Sequence, residues 1–356
     1  MTRDEINCSG QPLTVRLDLL PEAATARRLI LDRTGLEHAP GEIALLGGLE
    51  ELHLDGNQLG AVSPAVLTLS RLRRLSLYGN RLATLPDDLA RLGELRDLSV
   101  GNNQLRDFPA AVLQLTELRR LNLAENQIGA IPTEIAGLTQ LRMLDLGHNR
   151  IQELPSEMSA LSALEDALYL SDNLLERVPE SIFAGMPRLR YLGLTHNPLA
   201  ALPDSIGALT ALEELRLYAN GLRALPDTIG QLTNLRELHV QDNRLEALPE
   251  SLGALTSLRE LVASGNQLSH LPAEMTRLRA LRRLDLRNNP LQELPEQIGE
   301  LQSLAFLDLR AAHLVRLPDT MEKLTRLEKL DLRWTKVWPI PRWVGAMQAG
   351  GVRVLL

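Results

Sequence analysis

The hydrophobic positions of this chain recur with a fixed period of 23 residues. Three consecutive copies are LRELHVQDNRLEALPESLGALTS from Leu235, LRELVASGNQLSHLPAEMTRLRA from Leu258 and LRRLDLRNNPLQELPEQIGELQS from Leu281. They share the template LxxLxLxxNxLxxLPxxIxxLxx, whose positions we number from the first leucine. A period of this length predicts a solenoid, in which each unit packs on its two neighbours.

Each part of the template predicts a local structure. Apolar and polar residues alternate around the leucines at positions four and six, which indicates a half-buried strand. Each repeat therefore adds one strand to a parallel sheet. The asparagine lies where the chain leaves the strand, and its amide can pair with turn backbone groups that would otherwise be buried alone. The proline keeps the return path out of the sheet, and the acidic residue that often follows it suits a short helical turn.

The asparagine column counts the repeats. Position nine is asparagine in twelve successive repeats and differs only at the two ends, as atypical terminal repeats predict. The fourteen residues at this position are Thr34, Asn57, Asn80, Asn103, Asn126, Asn149, Asn173, Asn197, Asn220, Asn243, Asn266, Asn289, Ala312 and Thr335. Their spacing is 24 instead of 23 on both sides of Asn173. The first extra residue lies before Leu168. It indicates either a strand bulge beside a binding site or a change of length that a loop absorbs.

This template resembles the leucine-rich repeat family, in its LP-containing form of 23 residues. That form is similar to bacterial leucine-rich repeat proteins and to intracellular Ras-associated scaffold proteins. The resemblance implies an α/β solenoid shaped as a horseshoe. It also implies a parallel β-sheet on the concave face, short helical, 3-10 or extended segments on the convex face, and a protein partner as the commonest ligand.

The two ends of the chain depart from the template. We predict an N-terminal cap over residues 1–25, repeats over 26–349 and a capping strand over 350–356, all in one solenoid domain, because open solenoid ends need covering. In the first cap a strand is predicted over Leu13–Leu19, and Cys8 is interpreted as a small apolar residue or, alternatively, a reactive thiol. Three tryptophan rings are expected to cover the last leucine layer, or to form a ligand cage: Trp334, Trp338 and Trp343.

Composition narrows the functional classes. The net charge of −7 argues against nonspecific binding to nucleic acid or anionic membrane. A single cysteine, no apolar leader and no membrane-spanning apolar run favour a protein of the reducing cytoplasm. We expect it to be a monomer. A bacterial effector exported to a host cell without a classical signal peptide would share these features. An arginine column at position two, as in Arg236, Arg259 and Arg282, is accompanied by acids and does not overturn the charge argument.

Residues at positions three, five and seven are expected to face the hollow of the horseshoe. All four tyrosines lie in these columns, and exposed tyrosine with arginine is typical of protein-binding surfaces. The predicted partner site comprises Tyr78, Met143, Asp145, Tyr169, Tyr191, Thr195, Arg216, Tyr218 and His239. A second, charged strip is either a self-neutralising ladder or a docking strip for a charged partner, and it comprises Asp285, Arg287, Asp308, Arg310, Asp331 and Arg333.

Signatures of catalysis and metal binding are missing from the sequence. It contains no phosphate loop, HExxH helix, CxxC pair or GxSxG elbow. His148 and His196 share a column but stand two repeats apart, too far for one ion. We therefore predict a non-enzymatic module that needs no cofactor or metal and binds a protein on its concave face. The alternatives are an effector that uses the same surface in a host cell and an enzyme with catalytic groups in the hollow.

Overall fold

The structure is a computed structural model that describes residues 4–10, 23 and 25–356. The chain consists of two compact units, Met1–Leu174 and Leu175–Leu356. In each unit every strand pairs in parallel with the next strand along the chain, and every strand is three residues long. The first unit contains β1 (Glu5–Asn7), β2 (Arg28–Ile30), β3 (Glu51–His53), β4 (Arg74–Ser76), β5 (Asp97–Ser99), β6 (Arg120–Asn122), β7 (Met143–Asp145) and β8 (Ala167–Tyr169).

The second unit repeats the same arrangement and ends in the single α-helix of the described residues. Its strands are β9 (Tyr191–Gly193), β10 (Glu214–Arg216), β11 (Glu237–His239), β12 (Glu260–Val262), β13 (Arg283–Asp285), β14 (Phe306–Asp308), β15 (Lys329–Asp331) and β16 (Arg353–Leu355), and the helix is α1 (Arg342–Ala349). Strands β2 to β15 supply one strand to each of the fourteen predicted repeats.

Short 3-10 helices connect the strands on the return path. They lie at Gly41–Leu45, Val66–Thr68, Asp87–Arg91, Ala110–Gln114, Thr133–Gly137 and Ser156–Ala160 in the first unit, and at Ile182–Gly185, Asp204–Ala208, Asp227–Gln231, Glu250–Ala254, Ala273–Arg277, Ile298–Glu300 and Asp319–Lys323 in the second. A typical one begins after Pro86, whose extended backbone ends the preceding segment, and carries acids in its first turn. The predicted leucine-rich repeat solenoid, with parallel strands and short helical turns, is confirmed.

The conserved geometry of the repeat rests on its leucines and its asparagine. The template leucines are almost completely buried throughout. The Asn80 side-chain amide donates to the carbonyls of Leu54 and Leu77, each at 2.9 Å, so it joins two successive repeats. Its Oδ1 accepts the backbone N–H of Leu59 at 3.1 Å. The asparagine therefore satisfies buried turn groups as the sequence predicted, at a net value of about 1 kcal/mol per hydrogen bond.

Position eight has a left-handed backbone in every one of the fourteen repeats. Each of these residues has a φ between about 50° and 70°, a region that costs most side chains about 1–2 kcal/mol. Only three of them are glycine, so the repeat imposes this turn on residues that do not favour it. They are Arg33, Gly56, Gly79, Asn102, Glu125, His148, Asp172, His196, Ala219, Asp242, Gly265, Asn288, Ala311 and Trp334.

Each chain end carries one further strand beside the repeats, and at the C-terminus this is β16, which pairs with β15. Near the N-terminus β1 pairs with β2, whereas the strand predicted over Leu13–Leu19 lies outside the described residues. Cys8 is partly exposed, and burial raises the pKa of its thiol, which lowers its reactivity.

The prediction that the tryptophans cover the last leucine layer is wrong for Trp334 and Trp338, which are 74% and 82% exposed. Trp334 occupies the left-handed turn position, which directs its ring toward Arg333 at 5.8 Å instead of inward. Helix α1 packs at this end instead and buries Val344.

Candidate functional site

The side chains at positions three, five and seven form the outward side of the sheet in each unit, which we call the strand face. Because strand residues alternate, the leucines at four and six point into the core while their neighbours point away from it. Leu215 and Leu217 are 0% exposed, whereas Glu214, Arg216 and Tyr218 beside them are partly exposed. The strand face is therefore the part of each repeat that is free to vary.

In the second unit, several predicted site residues form one cluster. The Arg216 guanidinium lies 5.8 Å from the centre of the Tyr191 ring on the neighbouring strand, a cation–π distance. It also forms an ion pair with Glu214. Tyr218 meets His196 edge to face, with ring centres 5.2 Å apart. The sequence analysis did not include His196 in the site. The available signal was its position in column eight, next to the column of Tyr78 and Tyr218.

Two other predicted residues of this unit are less available. Thr195 is only 3% exposed, so it cannot offer a partner much surface. The His239 side chain is 15% exposed, and its Nε2 lies 3.3 Å from Glu237 Oε2. The accessible part of the predicted site in this unit is consequently Tyr191, Arg216 and Tyr218.

In the first unit, Met143, Asp145 and Tyr169 lie on the adjacent strands β7 and β8. Asp145 is opposite Tyr169 in the parallel register, and its Oδ1 accepts the N–H of Gly147 at 3.0 Å. Burial raises the pKa of the Asp145 carboxyl above its ordinary value. All three site residues are half-buried, so they offer a partner polar and apolar surface side by side.

Tyr78 lies apart from that group, in the repeat of β4. Its hydroxyl donates to Glu125 Oε1 at 2.7 Å. This hydrogen bond to a carboxylate is the main cause that raises the pKa of Tyr78, with burial second. Tyr78 therefore makes a contact that spans two repeats, and the charge of Asp145 also acts on it in the same direction.

The extra residue before Leu168 does not change the register of β8. The backbone N–H groups of Glu165 and Asp166 both donate to Arg142 O, at 3.2 and 2.9 Å, so the insertion is absorbed at the strand entrance. Ala167, Leu168 and Tyr169 then pair regularly with β7. The structure thus places the extra residue just before β8, beside the site, and Tyr169 keeps the position of an ordinary repeat.

The charged strip of the last repeats is an internally paired ladder. Asp331 is completely buried and accepts from Arg333 Nη2 at 2.8 Å, with Lys329 Nζ at 3.3 Å. Arg310 donates to both carboxylate oxygens of Asp308. Asp285 is 3% exposed. These aspartates hold the arginines in place, which favours the self-neutralising interpretation over a docking strip.

A groove that sequence reasoning missed opens on the strand face of the second unit. Its volume is about 530 Å³, and its lining runs from Glu237 to Lys329 along β11 to β15. Phe306 stands in it with 43% of its surface exposed, a large value for an aromatic side chain on a sheet. The sequence did contain a signal for this groove, because Phe306 occupies column three. The predicted site was based on the tyrosines and did not include it.

Two groups on the strand faces have the donor atoms of a metal site, which the sequence did not predict. They are Asp32, His53 and Asp55 in the first unit and Glu214, Glu237 and His239 in the second, each with ligand atoms within 4.8 Å of one another. In the first group, Asp55 Oδ1 already accepts from Ser76 and Tyr78 N. In the second, Glu214 is bound to Arg216. Exposed carboxylates cluster often without a metal, so the geometry alone assigns no ion.

Comparison with known proteins defines the class. A leucine-rich repeat region model matches residues 183–284 and 263–349, and a leucine rich repeat model matches residues 47–105, 94–151 and 148–199. The chain belongs to the leucine-rich repeat family. Members of this family are commonly protein–protein interaction modules and are typically non-enzymatic. Among the described residues, no helix is both long and apolar enough to cross a membrane.

Several solved structures are similar to this chain. A leucine-rich repeat protein of Leptospira interrogans is 30% identical, with a TM-score of 0.78, over 99% of this chain and 100% of that one. An internalin of Listeria monocytogenes shares the fold at 23% identity and a TM-score of 0.74, over 88% of each chain. The plant peptide hormone receptor RGFR1, in complex with RGF2, is 25% identical with a TM-score of 0.71, over 95% of this chain and 63% of that one. No curated protein sequence matches the chain.

Proposed function

We propose that this protein is a non-enzymatic binding module that holds a protein partner on the strand face, the concave side of the solenoid. The observation that carries the proposal is the cluster of Tyr191, Arg216 and Tyr218 on adjacent repeats. Tyrosine and arginine provide large, amphipathic contact areas and dominate the energetics of protein interfaces. The plant receptor to which the chain is similar is in complex with RGF2, which agrees with a binding role for this fold.

The electrostatics of the cluster suit a protein partner better than a catalytic role. Burial is the largest influence on Arg216 and lowers its pKa. The hydrogen bond that Arg216 donates to Glu214 and the nearby charges outweigh this effect, so the pKa of Arg216 lies above its ordinary value. Arg216 therefore stays charged at every physiological pH and cannot exchange a proton. The tyrosine hydroxyls remain able to form hydrogen bonds while the rings supply apolar surface.

The proposal is tested by capture of a partner. The purified chain and its Tyr191→Ala/Tyr218→Ala double variant are immobilised side by side and exposed to bacterial and eukaryotic lysates, and the bound proteins are identified by mass spectrometry. We expect a protein that the wild type retains and the double variant loses. Equal capture by both, with the variant fully folded by circular dichroism, would move the site away from the tyrosine cluster.

The remaining expectations of location and assembly stay predictions. The bacterial origin of two similar structures, from Leptospira and Listeria, fits a bacterial protein. Whether it acts as a cytoplasmic scaffold or as an exported effector is decided by which of the two lysates supplies the partner. Light scattering after size-exclusion chromatography tests the expected monomer, and a hydrolase screen tests the alternative of an enzyme.

A further inference from the structure

The groove on β11 to β15 is built around an exposed aromatic ring. Phe306 is in register with Arg283 on one side and Lys329 on the other, so two cations flank it at strand spacing. Beneath them Leu284 and Leu307 are buried in the core. The exposed ring and the stems of its basic neighbours thus form an apolar floor between charged head groups.

The acidic residues that line the groove are largely neutralised within the protein. Glu260 pairs with Arg283 at 3.6 Å, and Asp285 pairs with Arg287 at 3.5 Å. Asp308 is held by two nitrogens of Arg310. These three carboxylates therefore contribute little negative charge toward a ligand, whereas Glu237, at the far end of the groove, meets only the His239 imidazole.

One rim of the groove carries positive charge that has no partner. Arg259 and Arg282 line the groove and are exposed, and within the described residues neither side chain forms an ion pair or hydrogen bond. The reason is the position-two column, which reads Glu213, Arg236, Arg259, Arg282 and Ala305 in successive repeats. Glu213 pairs with Arg236 at 2.6 Å, and no acid follows in this column for the next two arginines.

We propose that this groove binds an extended acidic segment of the protein partner, with an apolar side chain on Phe306 and carboxylates on Arg259 and Arg282. Arginine recognises carboxylates with two parallel hydrogen bonds, and desolvation beside an aromatic ring strengthens the pairing. This inference rests on the proposed function, since it specifies part of the same partner.

The tyrosine cluster and the groove meet at β11. Arg216 of the cluster is in register with His239 of β11, and Glu237 on the same strand lines the groove. A partner that runs across the strands can therefore contact Tyr191 and Tyr218 with a folded surface and place its acidic segment along β12 to β14. A nucleic acid fits this surface poorly, because its regular phosphates need a row of free cations. The other two basic residues of the groove, Arg283 and Lys329, already pair with Glu260 and Asp331.

A random peptide display library, selected on the full chain, tests the proposal. We expect enrichment of peptides that combine several aspartates or glutamates with one large apolar residue. A fluorescent copy of an enriched peptide should bind at least about tenfold more weakly to Arg282→Glu, Arg259→Glu and Phe306→Ala than to the wild type, a difference of about 1.4 kcal/mol. All three side chains are exposed, so these variants should fold normally.

Arg119→Glu is the matched control. Arg119 also stands at position two, is exposed and lies between two arginines of the column, but it lies in the first unit and does not line the groove. Its variant changes the net charge by the same amount and should leave the affinity within about twofold. A loss as large as that of Arg282→Glu would show that bulk charge, and not the groove, attracts the peptide.

Several outcomes would overturn the assignment. They are enrichment of basic or uncharged peptides, no enrichment at all, binding that survives Phe306→Ala, or a uridine oligonucleotide that binds the groove more tightly than the acidic peptide. Failure of the groove is distinguishable from failure of the proposed function. A partner lost from Tyr191→Ala/Tyr218→Ala but retained by Arg282→Glu would keep the binding role and reject the acidic segment.

Discussion

The Arg216 guanidinium on β10 lies 5.8 Å from the centre of the Tyr191 ring on the neighbouring strand β9. The pair holds two interface-type side chains in place before any partner arrives, which reduces the entropy lost on binding. We predict that Tyr191→Ala and Tyr218→Ala each weaken partner binding by about 2 kcal/mol, the range of interface hot spots. Isothermal titration calorimetry with the captured partner measures this loss.

Two further variants separate ring contact from other effects. Tyr191→Phe keeps the ring against Arg216 and should retain most of the affinity. Arg73→Ala changes a paired residue of the position-two column in the first unit, bound to Glu50 at 3.3 Å, and should have little effect. If Tyr191→Phe were as damaging as Tyr191→Ala, the hydroxyl and not the ring would carry the interaction.

The asparagine column predicts graded stability losses. Asn126 is 8% exposed, and its amide donates to Val100 O and Leu123 O while Oδ1 accepts Leu105 N, each at 3.0 Å. Asn220 is more exposed. Its Oδ1 accepts the N–H of Asn197 at 3.2 Å, a longer hydrogen bond than the one that Asn126 accepts. We expect Asn126→Ala to cost about 1–3 kcal/mol and Asn220→Ala clearly less, because water can replace part of the amide.

Urea denaturation of the full chain measures both changes. The sequence treats the two asparagines as equivalent, so only the structure predicts their order. Equal losses would mean that exposure does not moderate the role of this side chain. An unchanged midpoint for Asn126→Ala would contradict the hydrogen-bonded ladder itself.

The left-handed turn at position eight gives a pair of opposite predictions. Ala219 has a φ of 55°, so Ala219→Gly relieves strain and should stabilise the fold by about 0.5–1 kcal/mol after the entropy cost of glycine. Gly79 has a φ of 67°, and an added Cβ would meet its neighbours only at ordinary distances of 3.6–3.8 Å. Gly79→Ala should therefore destabilise by a similar amount through the backbone alone.

Thermal unfolding followed by circular dichroism compares these two variants with the wild type. Each is the control for the other, since one adds and one removes the same methyl group at the same template position. Shifts of the same sign in both would contradict a shared left-handed turn.

The sequence predicts this fold well because the core of every repeat is encoded locally. The leucines, asparagine and proline each determine a burial, a hydrogen bond or a turn that recurs at the same place. The left-handed position was not predicted, because residues such as Glu125 and Trp334 carry no turn signature and the surrounding repeat imposes the conformation.

The candidate surfaces were only partly predictable for a related reason. Their properties depend on which side chains pair between repeats. Arg236 is neutralised by Glu213, whereas Arg259 occupies the same template position and forms no ion pair in the part of the chain that the structure describes. Burial also differs along one column, since Thr195 is hidden while Tyr218 at the same position is partly exposed. Such differences arise from neighbours one repeat away and are visible only once the strands are in register.

Asp285 and Asp331 share template position five but differ in their electrostatics. For Asp331, burial is the largest single influence and raises the pKa, but hydrogen bonds from Arg333 and Lys329 together outweigh it and place the pKa below the ordinary 3.8. For Asp285, burial again dominates, the pairing with Arg287 is weaker, and the pKa lies above the ordinary value. The two carboxyls should therefore affect stability with opposite dependence on pH.

The sign follows from proton linkage. The depressed pKa of Asp331 gives stability that is present above its unfolded value and is lost as pH falls through the folded pKa. The raised pKa of Asp285 gives stability that is present below the unfolded value and is lost as pH rises through the folded pKa. At pH 7 we therefore predict that Asp331→Asn destabilises the protein by about 1–3 kcal/mol, while Asp285→Asn is neutral or stabilising.

Urea denaturation at neutral pH and at a pH of about 3 distinguishes these effects, because aspartate titrates between the two conditions. The deficit of Asp331→Asn relative to the wild type should shrink at the acidic pH, where the wild-type carboxylate begins to lose its charge. Any advantage of Asp285→Asn should also disappear there, because the wild-type Asp285 is then protonated in both states. Similar losses for both variants at neutral pH would show that position five is uniformly structural and that the buried pairing of Asp331 with Arg333 has no special weight.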